Sequence, residues 1–313
     1  MSEEALSNLT KAGEILREIL GVIDQILKPR AKIVEVAEGI ESDIMNRGAL
    51  WAFPVNICID SIAAHYTPLI DEETLIDEDN IVKLDFGVAV NGYILDKAVT
   101  YYFGQDDDKK ALVETASEAL NKALDIIKPG IAFSDVAYAV YDYVKSRGFN
   151  IIRNLHGHKI EQWKLHADVE IPMHPESKIQ GVFEEGEIYA IEIFVTNGEG
   201  YAESTDDLRI FSLPQILADV KKLKLPVHLK AARDIFNWAW RRRRTLPFSV
   251  RHVQKIFDER SLKVGLAVLE QYGLLTRYFV LREKNGIVAQ AEDTIMIKKD
   301  GIEILTRPQT KKT

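Results

Sequence analysis

The sequence predicts an α+β fold of two related halves, with a helical subdomain inserted before the last strands. The first observation is an internal repeat at an offset of 100 residues, in which Lys28-Pro29, Val36-Ala37 and Arg47-Gly48 return as Lys128-Pro129, Val136-Ala137 and Arg147-Gly148. The second is a β-rich run divided by Asn91-Gly92, a dipeptide typical of a two-residue hairpin turn. The third is a change to helical periodicity between about 205 and 276.

The elements of the first half follow from periodicity and from helix-ending residues. Residues 3–28 are predicted to form a helix, because apolar residues recur at helical spacing until Pro29. Each copy of the repeat then predicts a helix that starts at a proline and ends at a glycine.

The repeat extends into the strands, where a carboxylate lies at the middle of each copy. The run Val82–Phe86 corresponds to Tyr189–Ile193, so that Asp85 matches Glu192, and Asn197-Gly198 follows the second run as Asn91-Gly92 follows the first. His166 lies 101 residues after His65. Two such halves would face each other across a pseudo-twofold axis, and a site at that axis would collect residues from both.

The predicted insertion contains three helical segments, His228–Trp240, Ser249–Phe257 and Ser261–Leu275, with Ser249 as an N-cap. Strands return at Tyr278–Arg282 and Gly286–Lys298. The sequence therefore predicts a main domain of residues 1–204 and 277–313 and an inserted, winged-helix-like subdomain of residues 205–276. The basic run Arg241–Arg244 beside two tryptophans is either a nucleic-acid patch or a solvated helix end, and the acidic net charge favours the second.

Composition excludes several classes of protein. The chain of 313 residues is 46% hydrophobic and 28% charged, with a net charge of −8, which argues against nucleic acid as a partner. A single cysteine, Cys58, excludes intrachain disulfides and thiolate metal clusters. No apolar run is long enough to cross a bilayer, and the acidic start lacks the order of a signal peptide. We therefore expect a cytoplasmic monomer without a membrane partner.

Asp85 and Asp96 are candidate functional residues. If Asn91-Gly92 forms the turn, Gly87 faces Asp96, and Asp85 lies on the same face one diagonal pair away. Aspartates are depleted in strands, and two on one face repel each other unless a proton or a cation lies between them. The alternative is that Asp96 ends its strand and Asp85 is exposed.

Further candidates are two glutamates and a group of histidines. Glu192 and Glu292 lie in apolar segments, where an unpaired charge is costly, although each could instead face solvent. His156 and His158 are two residues apart and could share a strand face, and spacing does not separate their roles. Four carboxylates with one histidine suit two divalent ions such as Mn²⁺, Fe²⁺ or Co²⁺, whose charge would balance that of the carboxylates.

These motifs resemble those of the type II methionine aminopeptidases, a family with the two-halved "pita-bread" fold. The matching stretches are Ala52–Asn56, Ala63–Pro68, Leu84–Gly87, Tyr93–Asp96, Asn154–His158, Ala190–Glu192 and Ala289–Glu292. The helical insertion before the last strand is the mark of type II. A long charged N-terminal extension, as in eukaryotic members, is lacking, so the archaeal form is expected.

The resemblance implies roles for particular residues. Asp96 and Glu292 would bridge two divalent ions (Co, Mn, Fe or Zn), Asp85 would complete one metal site, and His158 and Glu192 would complete the other. His158 is preferred to His156 because it follows the glycine as the family ligand does. His65 and His166 would contact the substrate around the scissile amide, Glu192 would move the proton of the attacking water, and Phe53 would belong to the methionine pocket.

The resemblance also implies an activity, which is removal of the initiator methionine from nascent chains when the next residue is small. Association with the ribosome is a further expectation. Two positions depart from the family pattern, since Asp293 stands where histidine is common and His156 where another polar residue is usual. One alternative is a proline-specific peptidase of the same fold, but those carry a large domain before the first aspartate. The other is a non-catalytic binding protein, although such relatives have lost metal ligands and this chain keeps all five.

Overall fold

A computed structural model describes residues 1–175, 178–219 and 228–308. Residues 220–227 of the predicted insertion and the end of the tail from 309 lie outside the described residues. The first half contains α1 (Glu3–Ile26), α2 (Ile33–Asn46), β1 (Leu50–Trp51), β2 (Asn56–Ile59), β3 (Ile62–Ala64), β4 (Ile81–Val90) and β5 (Tyr93–Tyr102). The second contains α3 (Asp107–Ile126), α4 (Phe133–Ser146), β6 (Asn150–Ile151), β7 (His156–Ile160), β8 (Glu170–Pro172) and β9 (Ile188–Thr196).

The remainder of the chain forms the insertion and the last strands. These elements are β10 (Ala202–Ser212), α5 (Lys230–Arg242), β11 (Phe248–Ser249), α6 (Val250–Gln254), α7 (Glu259–Gln271), β12 (Thr276–Glu283), β13 (Val288–Lys298) and β14 (Gly301–Ile304). A 3₁₀ turn covers Gln215–Leu217. Among the described residues, no helix is both long enough and apolar enough to cross a membrane.

The predicted hairpin is confirmed in register. Asn91 and Gly92 form the turn between β4 and β5 with φ of 51° and 82°, the left-handed backbone that this turn requires at both positions. Val90 pairs with Tyr93 and Gly87 with Asp96. The carbonyl oxygen of Gly92 accepts a hydrogen bond from Trp163 N (2.8 Å), so the loop after β7 caps the turn.

The two halves repeat the same pattern around a central seam, and the pita-bread fold with its internal duplication is confirmed. The larger sheet has the order β1-β4-β5-β13-β9-β7-β8, with β2 also pairing β4, β6 pairing β9 and β14 pairing β13. Helix α1 packs on β4 and β5, and α3 packs on β9 and β13. An isolated bridge joins Lys32 to Leu75 in the first half, and its counterpart joins Ala132 to Val182.

The seam between β5 and β13 joins the halves through two threonine side chains. Thr100 Oγ1 donates to the carbonyl oxygen of Gln290 (2.7 Å) and accepts from Gln290 N (2.8 Å). Thr294 Oγ1 does the same with Asp96, donating to its carbonyl oxygen (2.8 Å) and accepting from its N–H (2.7 Å). The pseudo-twofold axis therefore passes between these two bonded pairs.

Two local predictions were wrong. The second helix of each half begins at Ile33 and at Phe133, so Pro29 and Pro129 lie in the preceding turn and do not start the helices. The link at Asn197-Gly198 does not close a hairpin, although the repeat matches it to Asn91-Gly92. Strands β10 and β12 lie in a separate sheet of order β11-β10-β12-β3, so this link and the one at Asn285-Gly286 carry the chain between the sheets.

The helices of the insertion lie between β10 and β12, where α5 packs against α7. The proposed boundaries at 204/205 and 276/277 fall within β10 and at the start of β12, and β3 of the first half pairs with β12. The division into two domains stays a prediction. In the basic run, Arg241 and Arg242 are exposed, as expected of a solvated helix end, whereas Arg243 is buried.

A buried ionic cluster attaches the insertion to the first half. The carboxylate of Glu41 on α2 accepts hydrogen bonds from both terminal nitrogens of Arg251 (2.8 Å each), and one of its oxygens lies 2.9 Å from His252 Nε2. Arg251 and His252 both lie on α6. Glu41 also accepts from the N–H of Val55 (3.1 Å). Burial opposes ionisation of Glu41, but His252 and Arg251 outweigh it and lower its pKa from 4.5 to about 2.

We expect Glu41→Gln to lower the free energy of unfolding by about 3–5 kcal/mol at neutral pH, because the buried Arg251 loses its buried carboxylate partner. The folded-state pKa lies below the ordinary value, so this stabilisation is present above pH 4.5 and is lost as the pH falls toward about 2. Denaturant unfolding of both proteins across this range measures it. A stability difference that stays constant from pH 7 to pH 3 would contradict the assignment.

Candidate metal centre

Strand register places the predicted carboxylates in one row. Asp85 on β4 pairs with Ala98 on β5, Ala98 pairs with Glu292 on β13, and Glu292 pairs with Glu192 on β9. Residues directly opposite each other in adjacent strands share a face of the sheet. The row therefore carries three acidic side chains on one face, and the small Ala98 between them leaves space above the seam.

Asp96 and His158 join the same face from neighbouring positions. Asp96 lies two residues before Ala98, and His158 pairs with Ala190, two residues before Glu192, so side-chain alternation gives each the orientation of the row. His158 Nε2 lies 3.7 Å from Asp96 Oδ2. One potential ligand atom from each of Asp96, His158 and Glu292 lies within 4.8 Å of the other two. The structure thus brings all five predicted ligands to one face and three of them into a close group.

Burial perturbs every ionisable group of this cluster. Removal from water raises the pKa of Asp85 to about 7, with Asn56 and Gln290 opposing the shift. Burial and the neighbouring carboxylates raise the pKa values of Asp96, Glu192 and Glu292 well above their usual range. Burial lowers the pKa of His158 to about 4, so its imidazole is neutral at pH 7 and free to act as a ligand.

Unsatisfied buried atoms show that the cluster fits a cation. Within the described part of the chain, Asp85 Oδ1, Asp96 Oδ1, Glu292 Oε1 and His158 Nδ1 are buried without a hydrogen-bond partner. Such atoms are rare in folded proteins, because each costs the free energy of its lost hydration. A donor set of carboxylate oxygens and one imidazole matches the preferences of hard or borderline divalent ions.

Neighbouring residues fix the orientation of the acids. Asn56 Nδ2 donates to Asp85 Oδ2 (3.3 Å), and Gln290 Nε2 donates to Glu192 Oε1 (2.8 Å). Gly157 lets β7 approach β9, since a Cβ atom at this position would lie 2.5 Å from the carbonyl oxygen of Ala190. The absence of a side chain therefore sets how close His158 lies to the carboxylates.

His156 and Asp293, the two residues that depart from the family pattern, have different neighbours in the structure. The ring nitrogens of His156 lie 3.1 Å from Glu170 Oε2 and 3.1 Å from the carbonyl oxygen of Arg153. Asp293 follows Glu292 and therefore faces the other side of β13, where Lys97 Nζ, Thr306 Oγ1 and Arg307 Nε each donate to it at 2.6 Å. This buried acid has its own cationic partners and faces away from the cluster.

The remaining predicted residues line a cavity of about 630 Å³ above the carboxylates. His65 follows β3, and its Nδ1 lies 3.0 Å from the carbonyl oxygen of Phe279. The rings of His166 and His158 meet edge to face at 4.4 Å between centroids. Desolvation within the cleft lowers the pKa values of both His65 and His166. Phe53, almost fully buried, forms part of the wall.

Sequence reasoning missed several residues that border this site. Tyr278 places its ring 5.5 Å from that of His65 and 5.9 Å from that of His166. Ile210 and Pro247 of the inserted segment also line the cavity. No local pattern marks these three, because they reach the site only through pairing between distant segments. Asn56 and Gln290 do have a signal, since each lies inside a stretch that matches the family motifs.

Comparison with known proteins agrees with this geometry. The model of metallopeptidase family M24 matches residues 7–212. The chain belongs to this family. It is 39% identical to the methionine aminopeptidase of Thermococcus kodakarensis over 95% of this chain and 98% of that protein. It is 38% identical to that of Pyrococcus abyssi over 96% and 99% of the two chains. The resemblance to methionine aminopeptidases is thereby confirmed.

Solved structures confirm the fold. A thermophilic Arx1 superposes with a TM-score of 0.82 at 20% identity, covering 99% of this chain and 92% of that one. At this identity the likeness concerns the fold alone. Membership of a metallopeptidase family supports a divalent metal at the cluster, while the number of ions and the role of each residue stay predictions.

His158→Ala is expected to lose at least one bound metal ion per chain, because it removes the only imidazole of the close group. His156→Asn is the matched control, two residues away on the same strand, and should keep its metal with a loss of affinity no greater than about 10–100-fold. Elemental analysis and calorimetry on the purified variants measure both. If His156→Asn lost metal and His158→Ala kept it, the assignment of the two histidines would have to be exchanged.

Proposed function

We propose that the protein removes the initiator methionine from nascent polypeptides when the second residue is small. The observation that carries the proposal is the acidic row with His158, which faces a cavity bordered by two neutral histidines and an apolar wall. Nascent N-termini are the proposed substrates, which makes the cytoplasm the proposed compartment. Ribosome association and a monomeric state stay predictions.

The five residues of the cluster are the proposed metal ligands. Asp96 and Glu292 lie on the two strands of the seam, next to the pseudo-twofold axis, and would be shared between two ions. Asp85 would complete the site in the first half, and His158 with Glu192 would complete the other. Bound divalent ions of this kind lower the pKa of a water molecule and polarise a carbonyl group.

The protein's own groups would move protons and stabilise charge. Glu192 is half-buried and held by Gln290, so one of its oxygens can receive the proton of the attacking water and pass it to the leaving amine. His166 is neutral at pH 7 because its pKa is lowered by burial and by its histidine neighbours. Its N–H would stabilise negative charge on the carbonyl oxygen, while His65 would lie near the scissile nitrogen.

An apolar section of the cavity would hold the methionine side chain. Phe53, Leu165, Ile210 and Pro247 all line the cavity and are buried. A flexible thioether fills such an irregular apolar space well. The residue after methionine would occupy the same enclosed cleft, which is the physical reason to expect that it must be small.

Neither a proline-specific peptidase nor a non-catalytic binding protein is favoured. The relatives at 38–39% identity over nearly the whole chain are named methionine aminopeptidases, which supports this specificity over that of a proline-specific peptidase. A non-catalytic binding protein would have no need of a buried acidic row that is costly to maintain. The complete set of five candidate ligands supports the catalytic reading.

We expect the purified protein, stripped of metal by a chelator, to be inactive on Met-Ala-Ser and to regain hydrolysis when Mn²⁺ or Co²⁺ is added. Without a cation, the site has nothing to lower the pKa of the attacking water and polarise the carbonyl group. Release of methionine measured by chromatography gives the rate, with Met-Lys-Ser and Gly-Pro as comparison peptides. Hydrolysis that survives with no metal detectable by elemental analysis would contradict the proposal, and preferential cleavage of Gly-Pro would indicate the proline-specific alternative.

His166→Ala is expected to lower kcat by about 10²–10³-fold while metal content stays that of the wild type, because it removes a donor that stabilises the transition state. Turnover on Met-Ala-Ser and metal analysis of the same preparation test both parts. A variant that lost its metal in proportion to its activity would make His166 a ligand.

A further inference from the structure

We propose that Arg243 is a positioning residue that joins the two walls of the methionine pocket from behind and thereby sets the selectivity for methionine. The inference rests on the proposed function and adds a specificity device to it. It comes from the basic run Arg241–Arg244, in which one member has an environment unlike that of an ordinary helix end.

Arg243 is enclosed, with 2% of its surface exposed, whereas Arg241 and Arg242 are exposed. Its Nη2 donates to the carbonyl oxygens of Trp51 (2.6 Å) and Pro247 (3.0 Å), and lies 3.4 Å from that of Ala52. These carbonyls belong to two chain segments almost 200 residues apart. One guanidinium group therefore binds both segments at once.

Each segment supplies one wall of the cavity. Trp51 and Ala52 lead directly into Phe53, and Pro247 itself faces the cleft. The first segment is fixed to the sheet, because Trp51 pairs with Val88 and the N–H of Ala52 donates to the carbonyl oxygen of Gly87 (2.8 Å). The position of Pro247 relative to Phe53 therefore depends on the contacts that hold the inserted segment, and the hydrogen bonds of Arg243 are among those that join the two walls.

A stack of three planar groups holds the guanidinium in place. Its Cζ lies 3.2 Å from the ring centroid of Trp51, and the other face of Trp51 stacks on His252 at 4.2 Å between centroids and an interplanar angle of 27°. Nε2 of His252 lies 2.9 Å from Glu41 Oε2. Lysine would not reproduce this arrangement, because its ammonium group cannot lie flat on the Trp51 ring as the planar guanidinium does.

The stack also lines a second cavity. Trp51, Arg243 and His252 line a space of about 320 Å³ that also touches Met45, Trp238 and Lys255. Phe53 and Pro247, by contrast, line the substrate cavity. Loss of the guanidinium would leave the buried carbonyl oxygens of Trp51 and Pro247 without this donor and loosen the wall that these segments form.

The test compares Arg243→Met and Arg243→Lys with the control Arg241→Met, which removes an exposed charge from the same run. Steady-state kinetics on Met-Ala-Ser and Leu-Ala-Ser, with metal analysis and thermal unfolding of each variant, give the readouts. We expect both Arg243 variants to raise KM for Met-Ala-Ser by about 10-fold and to lower discrimination against leucine by a similar factor, since pocket contacts set such ratios. Metal content and kcat should stay within about twofold of the wild type, and Arg241→Met should match the wild type throughout.

The outcomes separate the two proposals. If wild-type protein does not hydrolyse Met-Ala-Ser, the proposed function fails. If the wild type is active and Arg243 variants keep its KM and leucine discrimination, only the role of Arg243 is overturned. A fall in metal content with KM unchanged would also overturn it, because the defect would then lie at the ligands. Should Arg243→Met not fold, Arg243→Lys carries the test, since it keeps the buried charge and removes the planar group that stacks on Trp51.

Discussion

Four carboxyl groups on one enclosed face of a sheet impose the constraint on which this structure depends. Each would cost several kcal/mol if left charged and unpaired, and their mutual repulsion adds to that cost. The raised pKa values of Asp96 and Glu292 express the same penalty in the protein alone. The many apolar residues that the sheet buries offset this penalty, and β4 is buried along its whole length. A bound cation converts the penalty into affinity.

The duplication explains how the acids come to face each other. Asp85 and Glu192 occupy the same place in the two halves, each opposite the seam position of its own half, Ala98 or Glu292. The symmetry therefore determines where the strands lie, and the residues that differ between the halves add further candidate metal ligands. At the seam, one half contributes Ala98, which leaves space, and the other contributes the acid Glu292. Likewise Cys58 in the first half corresponds to His158 in the second, and the imidazole is present on one side only.

The sequence predicted best those features whose cause is local. Asn91-Gly92 determines the hairpin register, and that register alone places Asp85 and Asp96 on one face. The prediction that Pro29 and Pro129 start the second helix of each half was wrong, because a proline is as compatible with the turn before a helix as with its first residue. The two other Asn-Gly links were ambiguous, since a turn sequence does not say which sheet receives the next strand. Arg243 could not be distinguished from its neighbours, because its burial follows from contacts with Trp51 and Pro247 and not from the run itself.

The seam between β5 and β13 has a consequence for the order of assembly. Asp96 is bonded to Thr294 across 198 residues of chain, so two strands that meet at the centre of the sheet are made far apart in time during synthesis. Strand pairings of such long range form late, because closing the loop between the strands costs conformational entropy. Contacts that offset this cost can form only when the partner strand has been synthesised. The growing polypeptide can build the first half, hairpin included, while its acids still face solvent. The centre itself can close only when almost the entire chain has emerged, and an incomplete chain therefore cannot carry the finished cluster.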